Sequence, residues 1–460
     1  MVSHVITQWN PENKSFWDSA GHSVAQRNLW LSIPALTLAF AVWMVWSVVV
    51  VNLPNVGFKF STNQLFWLAA LPALCGATLR IFYSFAVPIF GGRRWTAIST
   101  ASLLLPALGI GFAVQDPTTS YEVMVALALL CGFGGGNFAS SMANISFFFP
   151  KAQKGYALGM NAGLGNLGVS IVQFVVPLVI TAGVFGALGG EPATVTKAGQ
   201  TSQMWLQNAG FIWVPFIALS AIAAWFGMND LAEAKASFAD QAVIFKRKHN
   251  WLMCWLYLGT FGSFIGYSAG FPLLIKSQFP GINALQYAWL GPLVGALIRP
   301  LGGWLSDKLG GARVTLWTFV GMAAGVLAVL QFLPHQGQGG NFNGFLVSFM
   351  ALFAFAGIGN GSTFRMIPVI FMTERQRAAD KSAAAQEQAV KDANKEAAAV
   401  LGFSSAIGAY GGFFIPKSYG TSIAMTGGPE AALYVFIAFY ATCIAMTWWY
   451  YSRKNAPMPC

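Results

Sequence analysis

Twelve stretches of about 20 or more mostly apolar residues run through this chain of 460 residues. They lie near 29–53, 65–88, 95–114, 121–147, 157–186, 206–227, 251–274, 284–305, 314–333, 344–371, 398–424 and 430–452. A helix needs about 20 such residues to cross the hydrocarbon core of a bilayer. Inside lipid every backbone N–H and C=O must be satisfied within the segment, so each stretch is predicted to be an α-helix. Only 9% of the residues are charged, against about 25% in a soluble domain. The expected fold is therefore an all-α integral membrane protein of twelve transmembrane helices. No cleavable signal peptide is expected, because the first 28 residues are polar and the first apolar run is too long for one.

Lys and Arg set the orientation. With both termini in the cytoplasm, 19 of the 26 basic residues fall on the cytoplasmic side and only Lys59, Lys197, Lys276 and Lys417 on the other. That bias predicts cytoplasmic termini and explains the net charge of +11 without a nucleic-acid partner. The expected parts are a cytoplasmic N-terminal segment (1–28), a six-helix bundle (29–227), a cytoplasmic linker (228–250), a second six-helix bundle (251–452) and a cytoplasmic tail (453–460). A cytoplasmic connecting segment at 372–397, rich in Lys, Glu, Gln and Ala and expected to be a solvated helix, joins the tenth and eleventh spans.

The two halves repeat. Gly76, Arg80, Gly91, Gly92 and Arg94 recur 219 positions on as Gly295, Arg299, Gly310, Gly311 and Arg313. Gly132, Gly134 and Gly136 recur 225 positions on as Gly357, Gly359 and Gly361, and Gly159, Gly165 and Gly168 recur 243 positions on as Gly402, Gly408 and Gly411. Two pseudo-symmetric bundles with a site between them is the plan of many secondary transporters.

The remaining basic residues, Arg80, Arg299 and Arg365, fall within spans. A central Arg costs about 2.5–3.5 kcal/mol on insertion scales, and all 15 carboxylates lie at span ends or in loops. Snorkelling or a bond to a backbone carbonyl would account for one such arginine. Two at equivalent positions of a repeat point instead to an anion, because the guanidinium fork can hold two oxygens of a small planar oxyanion at once. Arg365 lies nearer the cytoplasmic end, where snorkelling is easy. The four histidines also lie outside the spans. With no His or carboxylate expected in the membrane core, exchange is favoured over proton-coupled uptake.

Other patterns carry less. Gly163–Gly168 has GxGxxG spacing but lies inside an apolar span and follows no strand, so it is packing and not a dinucleotide site. Asn166, the polar exception there, is either a helix–helix contact or a ligand. No cysteine pair has metal-ligand spacing. No nucleophile–base arrangement or P-loop is present, so no enzyme activity, metal or cofactor is expected.

Three motifs carry a family resemblance. Gly302-Gly-Trp-Leu-Ser-Asp-Lys-Leu-Gly-Gly-Ala-Arg313 resembles the loop signature between the eighth and ninth helices of the major facilitator superfamily. Its first-half copy, Phe90-Gly-Gly-Arg-Arg94, lacks the acid. Ala157–Gly168 and Gly402–Phe414 resemble the paired nitrate signatures of the nitrate/nitrite porter family, and Asn137–Lys151 and Thr260–Gly266 fit it too. The resemblance implies a major-facilitator-type fold in the inner membrane of a bacterium and nitrate and nitrite as substrates; the chain is expected to be a monomer. It implies that Arg80 and Arg299 grip the anion, that Phe138 and Phe261 sandwich it, and that Tyr257 offers a hydroxyl. Gly135, Gly165 and Gly411 would line the site. Apart from the resemblance, Asn166 is a candidate ligand and Arg365 and Ser405 are candidate pathway residues. The expected activity is nitrate/nitrite exchange; nitrate–proton symport and a non-transporting anion sensor are the alternatives.

Overall fold

The computed structural model describes residues 4–197, 199–232, 234, 242–335 and 339–460. Twelve long helices dominate: α1 (Lys14–Val56), α2 (Thr62–Tyr83), α3 (Gly92–Ala113), α4 (Tyr121–Phe148), α5 (Lys151–Val179), α6 (Asn208–Gly227), α7 (Lys248–Gln278), α8 (Leu290–Leu309), α9 (Gly311–Phe332), α10 (Phe342–Ala378), α11 (Ala383–Thr426) and α12 (Glu430–Ser452). Among the described residues, eleven helices are long and apolar enough to cross a membrane. The exception is α8, whose apolar residues are diluted by Arg299, Pro300, four glycines and Asp307. Several helices start on side-chain caps, among them a full capping box of Ser61 and Gln64 before α2 and Asn341 before α10.

The outward faces suit lipid. On α6 the exposed residues include Phe216, Leu219, Ile222 and Phe226, one stripe at helical spacing. In water such a stripe would drive aggregation; in a bilayer it is the solvated face. Strands are few: a hairpin of β2 (Ala193–Lys197) and β3 (Gln200–Met204) between α5 and α6, and a parallel pair of β1 (Val5–Ile6) with β4 (Asp230–Leu231).

The chain divides into two compact units, Met1–Lys235 with Ser268–Trp289, and Ala236–Tyr267 with Leu290–Cys460. In the first, Trp17, Ile33, Ile145, Phe148 and Phe149 form an apolar cluster at the base of α1 and α4, against which Trp9 packs. The N-terminal segment is thus folded onto the bundle. The acid missing from the loop before α3 is supplied from far along the chain. Asp230 accepts from the backbone N–H of Arg93 at 2.8 Å and from its Nε at 3.2 Å. Gly91, at φ +88°, lets the carboxylate approach, since a Cβ there would lie 2.5 Å from Asp230 Oδ1. A carboxylate at a helix N-terminus is favourable through the exposed N–H groups and the helix dipole.

In the second unit the segment read as solvated is largely incorporated into the long helices. α10 runs on to Ala378 and α11 starts at Ala383. Ala389, Ala393 and Ala397, spaced by one turn, are buried, as is Glu396. Glu396 accepts from Arg247 Nη2 at 3.0 Å and from Arg375 Nη2. Asp230, Glu396 and His249 are buried, and His249 Nδ1 lies 2.8 Å from Tyr451 Oη. Asp230 follows the end of α6 and His249 opens α7, whereas Glu396 lies more than three turns into α11, where two guanidiniums reach it.

Candidate functional site

In the first unit the site is built around Arg80, 1% exposed, near the end of α2. Its Nε donates to the carbonyl of Gly135 on α4 at 2.8 Å. Its Cζ lies 4.6 Å from the ring centroid of Phe138 and 5.0 Å from that of Trp43 on α1. Each such cation–π contact contributes about 0.5–2 kcal/mol when desolvated. Trp43 is itself fixed, its Nε1 donating to the Pro72 carbonyl at 2.8 Å. Glycine at 135 is required by close approach: a Cβ there would lie 2.6 Å from Trp43 Cε2 and 2.8 Å from Gly76 Cα. The sequence-predicted Arg80, Phe138 and Gly135 therefore form one group, and Trp43, absent from the sequence expectation, completes it.

Gly165 and Asn166 lie on α5. A Cβ at Gly165 would lie 2.7 Å from Leu36 of α1, so this glycine lets α5 and α1 pack closely. Asn166 is 1% exposed, and neither its Oδ1 nor its Nδ2 has a hydrogen-bond partner among the described residues. A buried amide without partners carries the full cost of its lost hydration.

In the second unit Arg299 lies on α8, buried, with its Nη2 3.5 Å from Tyr257 Oη on α7 and its Cζ 5.4 Å from the Phe364 ring on α10. Its Nη1 has no hydrogen-bond partner among the described residues. Phe261 stacks on Tyr257 with centroids 5.4 Å apart and planes 18° apart. Gly411 of α11 meets Gly262 of α7 so closely that a Cβ would lie 2.3 Å from Gly262 Cα. Ser405 Oγ donates to the Gly402 carbonyl at 2.8 Å. Arg365 differs from the other two: half exposed, it pairs with Asp307 at 2.5 Å, so an acid is available to it after all. Tyr257, Phe261 and Arg299 thus belong together, with Phe364 the contact that the sequence did not reveal.

The repeat extends to contacts. A Cβ at Gly76 would strike Trp43 at 2.6 Å, and one at Gly295 would strike Phe264 at 2.7 Å. Gly134 meets Ala39 while Gly359 meets Thr260, and Gly165 meets Leu36 while Gly408 meets Tyr257. The α1 and α7 partners share one offset (43 to 264, 39 to 260, 36 to 257). Trp43 is thus the counterpart of Phe264, a match that the contacts reveal in a helix pair whose repeat carries few matching letters.

Twelve long helices with a contact-level repeat define a transporter of the major-facilitator class. The Major Facilitator Superfamily model matches residues 35–416. A bacterial homologue of the human lysosomal transporter Spinster shares the fold, with a TM-score of 0.61 at 13% identity over 91% of this chain and 95% of that one. Nitrate/nitrite transporter NarU of Salmonella typhimurium is 53% identical, covering 98% of this chain and 97% of its own. NarU of Escherichia coli is 54% identical over the same shares, and the Thermus thermophilus protein named "Probable nitrate/nitrite antiporter NarK2" is 44% identical over 99% and 98%. The chain belongs to the nitrate/nitrite porter family of the Major Facilitator Superfamily.

Proposed function

We propose that the protein is a secondary transporter that exchanges nitrate for nitrite across the inner membrane by alternating access, as a monomer with both termini in the cytoplasm. The observation that carries this reading is the pair of buried arginines at repeat-equivalent positions, Arg80 and Arg299, whose partners described above are neutral: a carbonyl, a hydroxyl and aromatic rings. Neutral partners orient a guanidinium and leave its charge for an anion. The names of relatives at 44–54% identity supply nitrate and nitrite as that anion.

Phe138 and Phe261 offer flat apolar faces to a planar ion, Tyr257 a hydroxyl, and Asn166 an amide with no hydrogen bond among the described residues. Bound anion offsets the cost of enclosing the guanidinium charges in a closed, dry site. An empty carrier then switches slowly, which is the condition for exchange. The test is counterflow in liposomes: nitrate loaded inside leaves quickly only when nitrate or nitrite is supplied outside. Release at full rate into anion-free buffer defeats the exchange reading. Arg80→Lys and Arg299→Lys keep the charge and lose the fork, and each is expected to lower transport efficiency about tenfold or more.

Nitrate–proton symport has one observation in its favour, the burial of Glu396 and His249. Uptake driven by an imposed pH gradient, with no internal nitrite, would establish it over exchange.

A further inference from the structure

Arg80 has its Nε–H taken by the backbone carbonyl of Gly135. The residue at the matching place on α10, at the offset that relates the α4 and α10 glycines (135 to 360), is Asn360. Where the first half has only backbone, the second adds an amide. Its neighbours place it at the level of Arg299. A Cβ on Gly361 would lie 2.3 Å from the Arg299 carbonyl oxygen, so α10 passes α8 closely there. Phe364 is one helical turn beyond Asn360, on the same face, and it is the ring that Arg299 Cζ approaches.

Two groups that could satisfy each other are both left over. Asn360 is 2% exposed and its Oδ1 has no hydrogen-bond partner among the described residues. The Nη1 of Arg299 is in the same condition. One is an acceptor and the other a charged donor, and buried groups of both kinds are strongly destabilised while unpaired.

We infer that Asn360 is the positioning residue for Arg299: its Oδ1 accepts Nη1–H in the anion-loaded carrier and turns the remaining guanidinium donors toward the anion. This role rests on the transport reading above. An amide suits it where a carboxylate would not. Both would hold the guanidinium, but a carboxylate would also neutralise it and remove the attraction for the substrate.

The full-length protein in liposomes, assayed for nitrate/nitrite counterflow, tests this. Asn360→Ala is expected to raise the nitrate KM about tenfold with saturated flux within about twofold of wild type, the loss of one charge-assisted hydrogen bond. Asn360→Gln, which keeps an amide, recovers part of that loss, whereas Asn360→Asp abolishes transport. In an Arg299→Lys background Asn360→Ala adds nothing further; in an Arg80→Lys background it adds in full. An Asp variant that matches the Ala variant, or full additivity with Arg299→Lys, overturns the inference. A measurement without substrate separates it from the transport reading. In detergent Asn360→Asp melts above Asn360→Ala because its carboxylate reaches Arg299, and the difference vanishes with Arg299→Gln. If that coupling holds while the wild type carries no nitrate or nitrite, the transport reading fails and the pairing stands. If the coupling is missing, the pairing fails.

Discussion

At the scale of single residues, what distinguishes the two arginines is the set of side chains that hold them. Trp43 lies against Arg80 from α1 and against Gly76 and Gly135 through their missing side chains. Replacing it by Leu removes the ring face and is expected to weaken anion affinity several-fold, whereas Trp43→Phe retains most of it. Equilibrium binding of nitrate to the purified protein would decide this; equal affinity for the Leu and Phe variants would exclude a role for the ring. Arg365 belongs to a different class. Paired with Asp307 and half exposed, it is expected to tolerate Lys with less than a twofold change in transport, because exposed ion pairs contribute only about 0–1 kcal/mol. Arg80 and Arg299 were legible in the sequence because a charge stands out in an apolar run. Trp43 and Phe364 were not: among 17 Trp and 39 Phe nothing in the letters marks the ring that faces a guanidinium. Asn360 likewise needed the structure to bring it to the level of Arg299.

At the scale of helices, the signature glycines divide by what surrounds them. A methyl at Gly411 would meet the backbone of Gly262, which cannot yield as a side chain can, so Gly411→Ala is expected to destabilise the protein by about 1–3 kcal/mol or more. Gly402, in the same signature, has nothing within 4 Å of its would-be Cβ. Gly402→Ala is therefore expected to be neutral or slightly stabilising, by up to about 1 kcal/mol of helix propensity. Thermal unfolding of the two variants in detergent separates them, and similar melting would refute the close approach of α7 and α11. The start of α11 supplies a second test. Removing Glu396 leaves Arg247 and Arg375, both part-exposed, without their shared carboxylate, a loss of about 1–3 kcal/mol. A Glu396→Ala protein that melts like wild type would place that cluster in solvent. Sequence reading took this stretch as solvated because its composition is polar. Its burial depends on Arg247, about 150 positions earlier, and no local pattern carries such a partner.

For the whole molecule, hydropathy gave the helix order, and the glycine offsets gave the repeat that recurs as matched contacts. The limit was α8, where the residues that serve the site are those that lower its hydropathy. Orientation is tested on the intact chain. With 19 Lys and Arg on one side and four on the other, a fluorescent reporter fused to the C-terminus should fold in the cytoplasm and alkaline phosphatase fused there should stay inactive. Active phosphatase would reverse the topology. The pairing of β1 with β4 has a further consequence, for biosynthesis. Val5 and Ile6 leave the ribosome before α1, yet their partners Asp230 and Leu231 emerge only after α6. Asp230 is also the acid that the start of α3 lacks. The nascent chain must therefore hold six inserted helices with an open N-terminal end and an uncapped α3 until residue 231 appears. One short stretch then closes both, before Arg299 has been translated.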